Sequence, residues 1–443
     1  MKPQFLIGSV GQGNGKTLLC MGIARMLAAQ GQKVQLYKTG PDVSDTLLHG
    51  LANDADSYIL DTWLASRNHV KYVFNTHGEK ADVCIVDGNG GLFDGYKRMN
   101  GSGADLSQLL NLPVILVVSA RMGAYSIAPV IYGFRNFRKN VRVVGVIFNH
   151  VSSVSQYTYL KETCRDAGVE CFGYMPYDEG MKYTPSQLIP TIDNRKKLNE
   201  IIELASHHIR QTIYMDKVLA VVNSAFPCEY SLPYSSEVET DSILPLIEQK
   251  IRISVAKDAA FCLPYAENID RMSRWGEITY FSPMNSRSFP ETDLLYIPDG
   301  FVENFLRQLH RRRAMLAQIK EYAEKGGRIM AEGTGILLLA RSVVTRSGNT
   351  SYDMADVFPF DCSVAESHLQ AGLRKFERGG LLYKGYEYRC PYIIDSSQAV
   401  PYQEVHNLKG QKTQSTIYRK KNVIAGFSRW YWGESDLLTL FQM

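Results

Sequence analysis

Apolar residues recur along this chain in short unbroken runs, and the runs alternate with segments whose apolar residues fall at helical spacing. QFLIGSV (4–10) is followed by TLLCMGIARMLAAQ (17–30) and KVQLYKTG (33–40). The rhythm continues through DVCIVDG (82–88), SGADLSQLLN (102–111), PVILVVSA (113–120) and VRVVGVIFN (141–149), with another helix expected after it. A run that is apolar at every position suits a strand covered on both faces, and helices supply that cover. The pattern therefore predicts a doubly wound parallel α/β sheet over residues 1–205. Residues 206–247 include FPCEYSLPYSSEVETDS (226–242), whose Pro, Ser and acidic residues read as a linker. A second alternation begins at KIRISVAKD (250–258) and runs through ITYFSP, LLYIPDG and RIMAEG (328–333). It predicts a further α/β domain over 248–443, with a less regular, Tyr- and Gly-rich final stretch.

Composition narrows the function classes. A chain of 443 residues exceeds one ordinary core, which agrees with two domains. With 45% hydrophobic residues, 21% charged residues and a net charge of +4, nothing marks a polyanion binder, so nucleic acid is not an expected partner. No apolar run reaches the roughly 18 residues of a spanning helix, and Met1-Lys2-Pro3 leads into a strand without a leader pattern. The expectation is a cytoplasmic protein with no membrane partner. Eight cysteines without a CxxC pair and nine scattered histidines point to neither a disulfide framework nor a zinc site.

The sharpest chemistry sits at GSVGQGNGKT (8–17), between the first strand and the first helix. Gly11, Gly13 and Gly15 let backbone N–H groups wrap a phosphate, and the helix N-terminus adds partial positive charge. Lys16 reaches the outer phosphates and Thr17 can hold Mg²⁺. A strict phosphate-loop pattern places glycine at position 10, where this chain has Val10. Two acidic clusters follow later strands, KTGPDVSD (38–45) and IVDGNGGLFDG (85–95). Asp87 ends an apolar strand, the place from which a carboxylate holds Mg²⁺ between phosphates, and Asp42, Asp45 and Asp94 stand on the flanking loops. A single Asp after a strand is more often a turn former or a cap; four around one phosphate loop point to metal-assisted phosphoryl transfer. In the second domain, IMAEGTGILLLA (329–340) has the strand-turn-helix form of a nucleophile elbow, yet Gly333 stands at its tip.

These segments resemble the cobyrinic acid a,c-diamide synthases, relatives of dethiobiotin synthetase that carry a class I glutamine amidotransferase domain. The likeness lies in KTGPDVSDTLLH with its His49, LDTW (60–63), DGNGGLFDG, GSGADLSQLL, GVIFNHV, and RISVAKDAAFCLPYAENID (252–270) with YFSP. The resemblance implies a P-loop amidoligase domain at 1–205 followed by a flavodoxin-like amidotransferase-type α/β domain at 248–443. It implies ATP- and Mg²⁺-dependent amidation of acetate side chains on a corrin-type tetrapyrrole polycarboxylate, through an acyl phosphate. By similarity Lys16, Asp45 and Asp94 would be catalytic, Thr17, Asp87 and Asp45 would hold the metal, and Asn149 would read adenine, although a residue so placed is otherwise a strand-ending turn former. A homodimer also follows as an expectation.

The departures concern the second domain. The family's elbow reads Ala-Glu-Cys-Gly-Gly, and this chain has Gly333 in place of the nucleophile. The C-terminal histidine pair of the family corresponds to VIAGFSRWYWG (423–433), with Arg429 and Tyr431. Pro298 and Asp299 replace a Gly-rich oxyanion loop, Gln187 stands for a substrate-side His, and Tyr386 for the His of a Gly-His-Glu stretch. A thiol and its base act as a unit, so both being absent predicts no glutaminase, with ammonia taken free or from a separate glutaminase subunit. Two other readings stay open: a non-catalytic carrier or regulator that binds ATP or a tetrapyrrole, and a carboxylase like dethiobiotin synthetase.

Overall fold

The computed structural model describes residues 2–225, 250–364 and 368–442, and the chain divides into two units, Met1–Asp241 and Ser242–Met443. The stretch at 226–242 expected as a linker lies outside the described residues.

In the first unit β1 (Gln4–Ser9), β2 (Val34–Thr39), β3 (Tyr58–Leu60), β4 (Val83–Asp87), β5 (Val114–Ser119), β6 (Val143–Val151) and β7 (Glu170–Pro176) form one sheet in the order β3-β2-β4-β1-β5-β6-β7. Every neighbouring pair is parallel. Residues of β4 and β5 are all buried, as their unbroken apolar runs require. Helices α1 (Lys16–Ala29), α2 (Ser44–Asn53), α3 (Arg67–Gly78), α4 (Gly103–Leu109), α5 (Ile127–Asn136) and α6 (Val154–Ala167) connect the strands. From β1 the chain runs outward to β2 and β3, returns to insert β4, then continues on the other side as β5 to β7. That reversal opens a crevice at the C-terminal ends of β1, β2 and β4.

The first unit extends past residue 205. Helices α7 (Ile192–Thr212) and α8 (Met215–Ala225) fill the first half of the span expected to be linker, and Ile209, Val218 and Val222 belong to the same core as Phe5, Ile7 and Leu27. Gly22 of α1 explains the close approach: a Cβ there would stand 2.5 Å from Ile209 Cδ1. The missing side chain of Gly22 lets α7 pack this closely, with the Ala205 backbone carbon 3.3 Å from where that Cβ would stand.

The second unit is a mixed structure. Strands β8 (Ile251–Ala256), β9 (Gly276–Phe281), β10 (Leu294–Ile297) and β11 (Arg328–Glu332) are parallel, as the alternation predicted. Strands β12 (Ser342–Val344), β13 (Ser351–Asp353) and β14 (Asp361–Val364) form a small sheet that β17 (Pro391–Asp395) completes. The less regular final stretch turns out to be long antiparallel strands: β15 (Gln370–Arg378), β16 (Leu381–Arg389), β18 (Pro401–Asn407) and β19 (Lys412–Lys420). They join β20 (Val423–Gly426), which pairs in parallel with β11, and β21 (Arg429–Trp430) closes the far edge. Such strands bury one face only, so Phe376 and Tyr383 enter the core while Leu382 and Tyr388 stay exposed. Gly385 lets β21 approach, since a Cβ there would meet the Arg429 carbonyl at 2.2 Å.

Ile209→Ala is expected to destabilise the first unit by about 2–5 kcal/mol. Urea-induced unfolding followed by a first-unit probe measures this, and an unchanged midpoint would mean that residues 206–225 do not belong to that core.

Candidate functional site

The phosphate loop closes on itself before any ligand is considered. Gly13 and Gly15 have positive φ, 77° and 81°, and position 10 is not among the positive-φ residues, so Val10 occupies a place that needs no glycine. Ser9 Oγ donates to the Gly11 carbonyl at 2.6 Å and Asn14 Nδ2 to the same oxygen at 2.8 Å. Lys16, buried at the start of α1, has its Nζ 2.8 Å from Ser9 Oγ and 2.7 Å from the Gly90 carbonyl. Burial pulls its ammonium pKa down despite the nearby Asp87 carboxylate. An ammonium folded back on neutral oxygens is poised to exchange them for a phosphate.

The strand register assembles the rest. Lys38 of β2 lies directly opposite Asp87 of β4. Its Nζ is 2.8 Å from Asp87 Oδ2 and 2.7 Å from Asp45 Oδ2 of α2. Thr17 Oγ1 donates to Asp87 Oδ2 at 2.8 Å and lies 3.4 Å from Asp45 Oδ2. Behind Asp87, fully buried His49 places Nε2 3.4 Å from Oδ2 and Nδ1 2.8 Å from Ser57 Oγ. Burial alone would raise the Asp87 pKa, but Lys38 and His49 hold it well below the usual carboxylate range. Burial likewise pulls Lys38 down, and the two carboxylates more than offset it, so the ammonium stays charged.

This arrangement fits a hard cation shared with phosphates. Asp87 Oδ1 is buried without a hydrogen-bond partner among the described residues, and a hydroxyl and a second carboxylate stand beside its other oxygen. The described residues hold no cluster of three or more His, Cys, Asp or Glu arranged for a metal. A cation such as Mg²⁺, which takes one or two carboxylates and completes its shell with phosphates and water, suits that donor set.

Two expected residues stand apart. Asp94 is exposed and accepts the Gly91 N–H at 3.1 Å, holding its own loop rather than joining the Lys38 cluster. Asn149 donates from Nδ2 to the Asn14 carbonyl at 2.8 Å and accepts the His150 N–H on Oδ1 at 2.8 Å. A Cβ on Gly15 would lie 2.1 Å from that Nδ2, so the amide clamps the phosphate loop in this conformation. Asp42, just before α2, accepts the Ser44 N–H at 2.9 Å, a local turn of the kind Asp makes at the entrance to a helix. Lys38 and His49 were not expected as site residues. The signal for Lys38 was a lysine near the end of the strand run VQLYKT, just before the acidic loop that follows it.

In the second unit, Gly333 follows β11 at φ 56°, and a Cβ there would stand 2.0 Å from Asp299 Cγ. Asp299, in the loop after β10, accepts the Gly300 and Thr334 N–H groups on Oδ1, each at 2.8 Å, and the Thr334 hydroxyl is 3.0 Å away. Arg429 Nη2 meets Asp299 Oδ2 at 2.8 Å, with both side chains buried, and its guanidinium lies over the Tyr265 ring at 5.6 Å. Tyr431 packs edge-on against the same ring. Tyr386 pairs with Arg429 across β16 and β21, whereas Gln187 caps a turn by accepting the Thr184 N–H at 2.6 Å. Glu332, before the elbow, is buried and pushed up to about 8 by burial, and it accepts from Tyr296 Oη at 2.9 Å and Trp432 Nε1 at 2.5 Å.

Comparison with known proteins matches both units. Residues 5–192 match the family described as the CobQ/CobB/MinD/ParA nucleotide binding domain, and residues 252–434 the CobB/CobQ-like glutamine amidotransferase domain. A protein of Caldanaerobacter subterraneus named cobyrinate a,c-diamide synthase is 31% identical over 438 residues, covering 96% of this chain and 94% of that one. A protein of the same name from Sulfurisphaera tokodaii is 28% identical over 453 residues, covering 99% of each. No helix among the described residues is long and apolar enough to cross a membrane, and none of the seven described cysteines forms a disulfide.

Two predictions follow from the buried charges. Lys38→Met strands Asp87 and is expected to cost about 3–5 kcal/mol in urea unfolding, with Lys38→Met/Asp87→Asn recovering most of it. Glu332 has a folded pKa raised from 4.5 to about 8, so its contribution to stability is complete below pH 4.5 and is lost as pH rises through about 8. Thermal midpoints measured across that window should fall for the native chain and stay flatter for Glu332→Gln.

Proposed function

The chain belongs to the cobyrinate a,c-diamide synthase family, and on that footing we propose that it amidates acetate carboxylates of a corrin-type tetrapyrrole with ATP, through an acyl phosphate. The observation that carries this reading is the hydrogen-bonded cluster of Thr17, Lys38, Asp45 and Asp87 beside the phosphate loop. A carboxylate is a poor electrophile because hydroxide or oxide is a poor leaving group. In the first step an acetate oxygen attacks the γ-phosphorus, the bond to the β-phosphate oxygen breaks, and ADP leaves. In the second, ammonia adds to the acyl carbon, inorganic phosphate departs, and the nitrogen gives up a proton.

Each residue has a place in this scheme. The loop amides and Lys16 hold the phosphates, and Lys16 stabilises charge on the transferring group. Lys38 sits between the carboxylates that flank the transfer and offsets negative charge as it builds. Thr17 and Asp87, with Asp45 adjacent, would hold Mg²⁺, which when bound neutralises phosphate charge as a Lewis acid. We assign Asp45, with 29% of its side chain exposed, and Asp94, exposed on the loop after β4, to the space where ammonia meets the acyl phosphate. Either carboxylate can accept the proton that the nitrogen releases. Asn149 contributes to the nucleotide site by fixing the loop at Asn14 and Gly15, and we assign its amide to the adenine side.

The second unit in this reading supplies no ammonia. Glycine at 333 cannot form the thioester that glutamine hydrolysis requires, and neither Arg429 nor Tyr431 can act as the neutral imidazole base. Ammonia then comes free or from a separate glutaminase, and the tetrapyrrole polycarboxylate is the partner of the first unit.

Purified protein incubated with cobyrinic acid and Mg-ATP is expected to give the hydroxyl-to-amino mass change with ammonium chloride and none with glutamine. Mass spectrometry reads the result. Product from glutamine would sink the glutaminase part, and absence of product and of ATP turnover with either nitrogen source would sink the ligase reading in favour of a binding protein. Lys16→Ala is expected to lower kcat by about 10²–10³-fold in the ammonia reaction.

A further inference from the structure

We propose that the elbow of the second unit is a carboxylate-binding site permanently occupied by the chain's own Asp299. This rests on the geometry of the second unit alone and holds whether or not the first unit is a ligase.

An elbow of this form offers two backbone N–H donors to an anion, one from the residue after its tip and one from a neighbouring strand-end loop. Here those donors are Thr334 N–H and Gly300 N–H, and both point at one oxygen, Asp299 Oδ1, at 2.8 Å. The Thr334 hydroxyl reaches the same atom at 3.0 Å. The other oxygen is met by Arg429 at 2.8 Å from β21. Asp299 is 5% exposed and Arg429 3%, so the pair is out of water. The carboxylate thus has the full complement of donors that a bound anion would attract in an oxyanion pocket.

The site is also sterically closed. Any side chain at 333 would place its Cβ within 2.0 Å of Asp299 Cγ and 2.2 Å of Oδ1. A positive φ of 56° already favours glycine there, and Asp299 removes the room as well. A nucleophile at 333 and the carboxylate of Asp299 are mutually exclusive in this backbone. The second unit therefore holds neither glutamine nor another carboxylate at its elbow, and reinstating cysteine at 333 alone does not reopen it. The bare position 333 and the aspartate that fills its space are a single physical condition: an internal ligand stands where an external one would bind.

The test compares thermal unfolding of the full chain in formate and in chloride at matched ionic strength. Asp299→Ala is expected to lower the midpoint by roughly 6 °C or more, because Arg429 and two amides lose their anion. Formate should recover much of that loss in Asp299→Ala and leave the native chain unmoved. Gly333→Ala should cost clearly more in the native chain than in the Asp299→Ala background, since only the φ penalty survives there. An equal formate response in both proteins, or an equal cost of Gly333→Ala in both backgrounds, would overturn the proposal. Should Asp299→Ala not fold, Asp299→Asn carries the test: it keeps the shape, and its lower midpoint should recover in part when Arg429→Met removes the cation that faced the carboxylate. Asp299→Asn as stable as the native chain would overturn the proposal too.

Discussion

A carboxylate buried without exposure at the end of a strand constrains everything around it. Asp87 ends β4 in the middle of a parallel sheet, where an ionised group is tolerable only with its charge compensated. The compensation comes from Lys38, and Lys38 reaches it because β2 and β4 pair in the register that sets the two residues opposite each other. That register also carries Asp45 and His49 in on α2, and Thr17 arrives from the first turn of α1. A shift of one residue in β2 would turn Lys38 to the other face of the sheet and leave Asp87 stranded. The charged cluster and the correct pairing of the sheet are therefore one requirement.

The second unit obeys the same rule with a different result. Asp299 also follows a central parallel strand, and it too is buried with a cation, Arg429, within hydrogen-bonding distance. In the first unit the buried carboxylate keeps one oxygen without a hydrogen-bond partner among the described residues, which suits a metal ion. At Asp299 both oxygens are consumed by donors from the fold itself. Asp87 therefore has an oxygen to offer a ligand, whereas Asp299 has none.

Much of this was legible in the chain, and the misses have definite causes. The parallel strands announced themselves because strands covered on both faces must be apolar throughout. The antiparallel strands of the second unit did not, since half-exposed strands carry polar residues on the open face, and KFERGGLLYKGYEYR at 375–389 also buries the ion pair of Glu387 and Arg389, so the text reads as irregular. The last turns of α7 and all of α8 were placed beyond the domain because the Pro- and Ser-rich text after them drew the boundary forward. Asp94 and Asn149 were picked out by motif position, and both spend their polar atoms on neighbouring loops in this conformation.

By itself the sequence determined that a phosphate loop would form, because Gly13, Gly15 and the Lys-Thr pair encode local backbone geometry and a helix start. It also determined that no thiol stands at the elbow, since that is a matter of identity at one position. Tertiary structure alone decided which charged residues would meet. Lys38 and Asp87 are 49 residues apart, and Arg429 and Asp299 are 130 apart. No local pattern ties such positions together, because the force that joins them is the cost of leaving a buried charge unpaired, and that cost exists only once the sheet has closed around it.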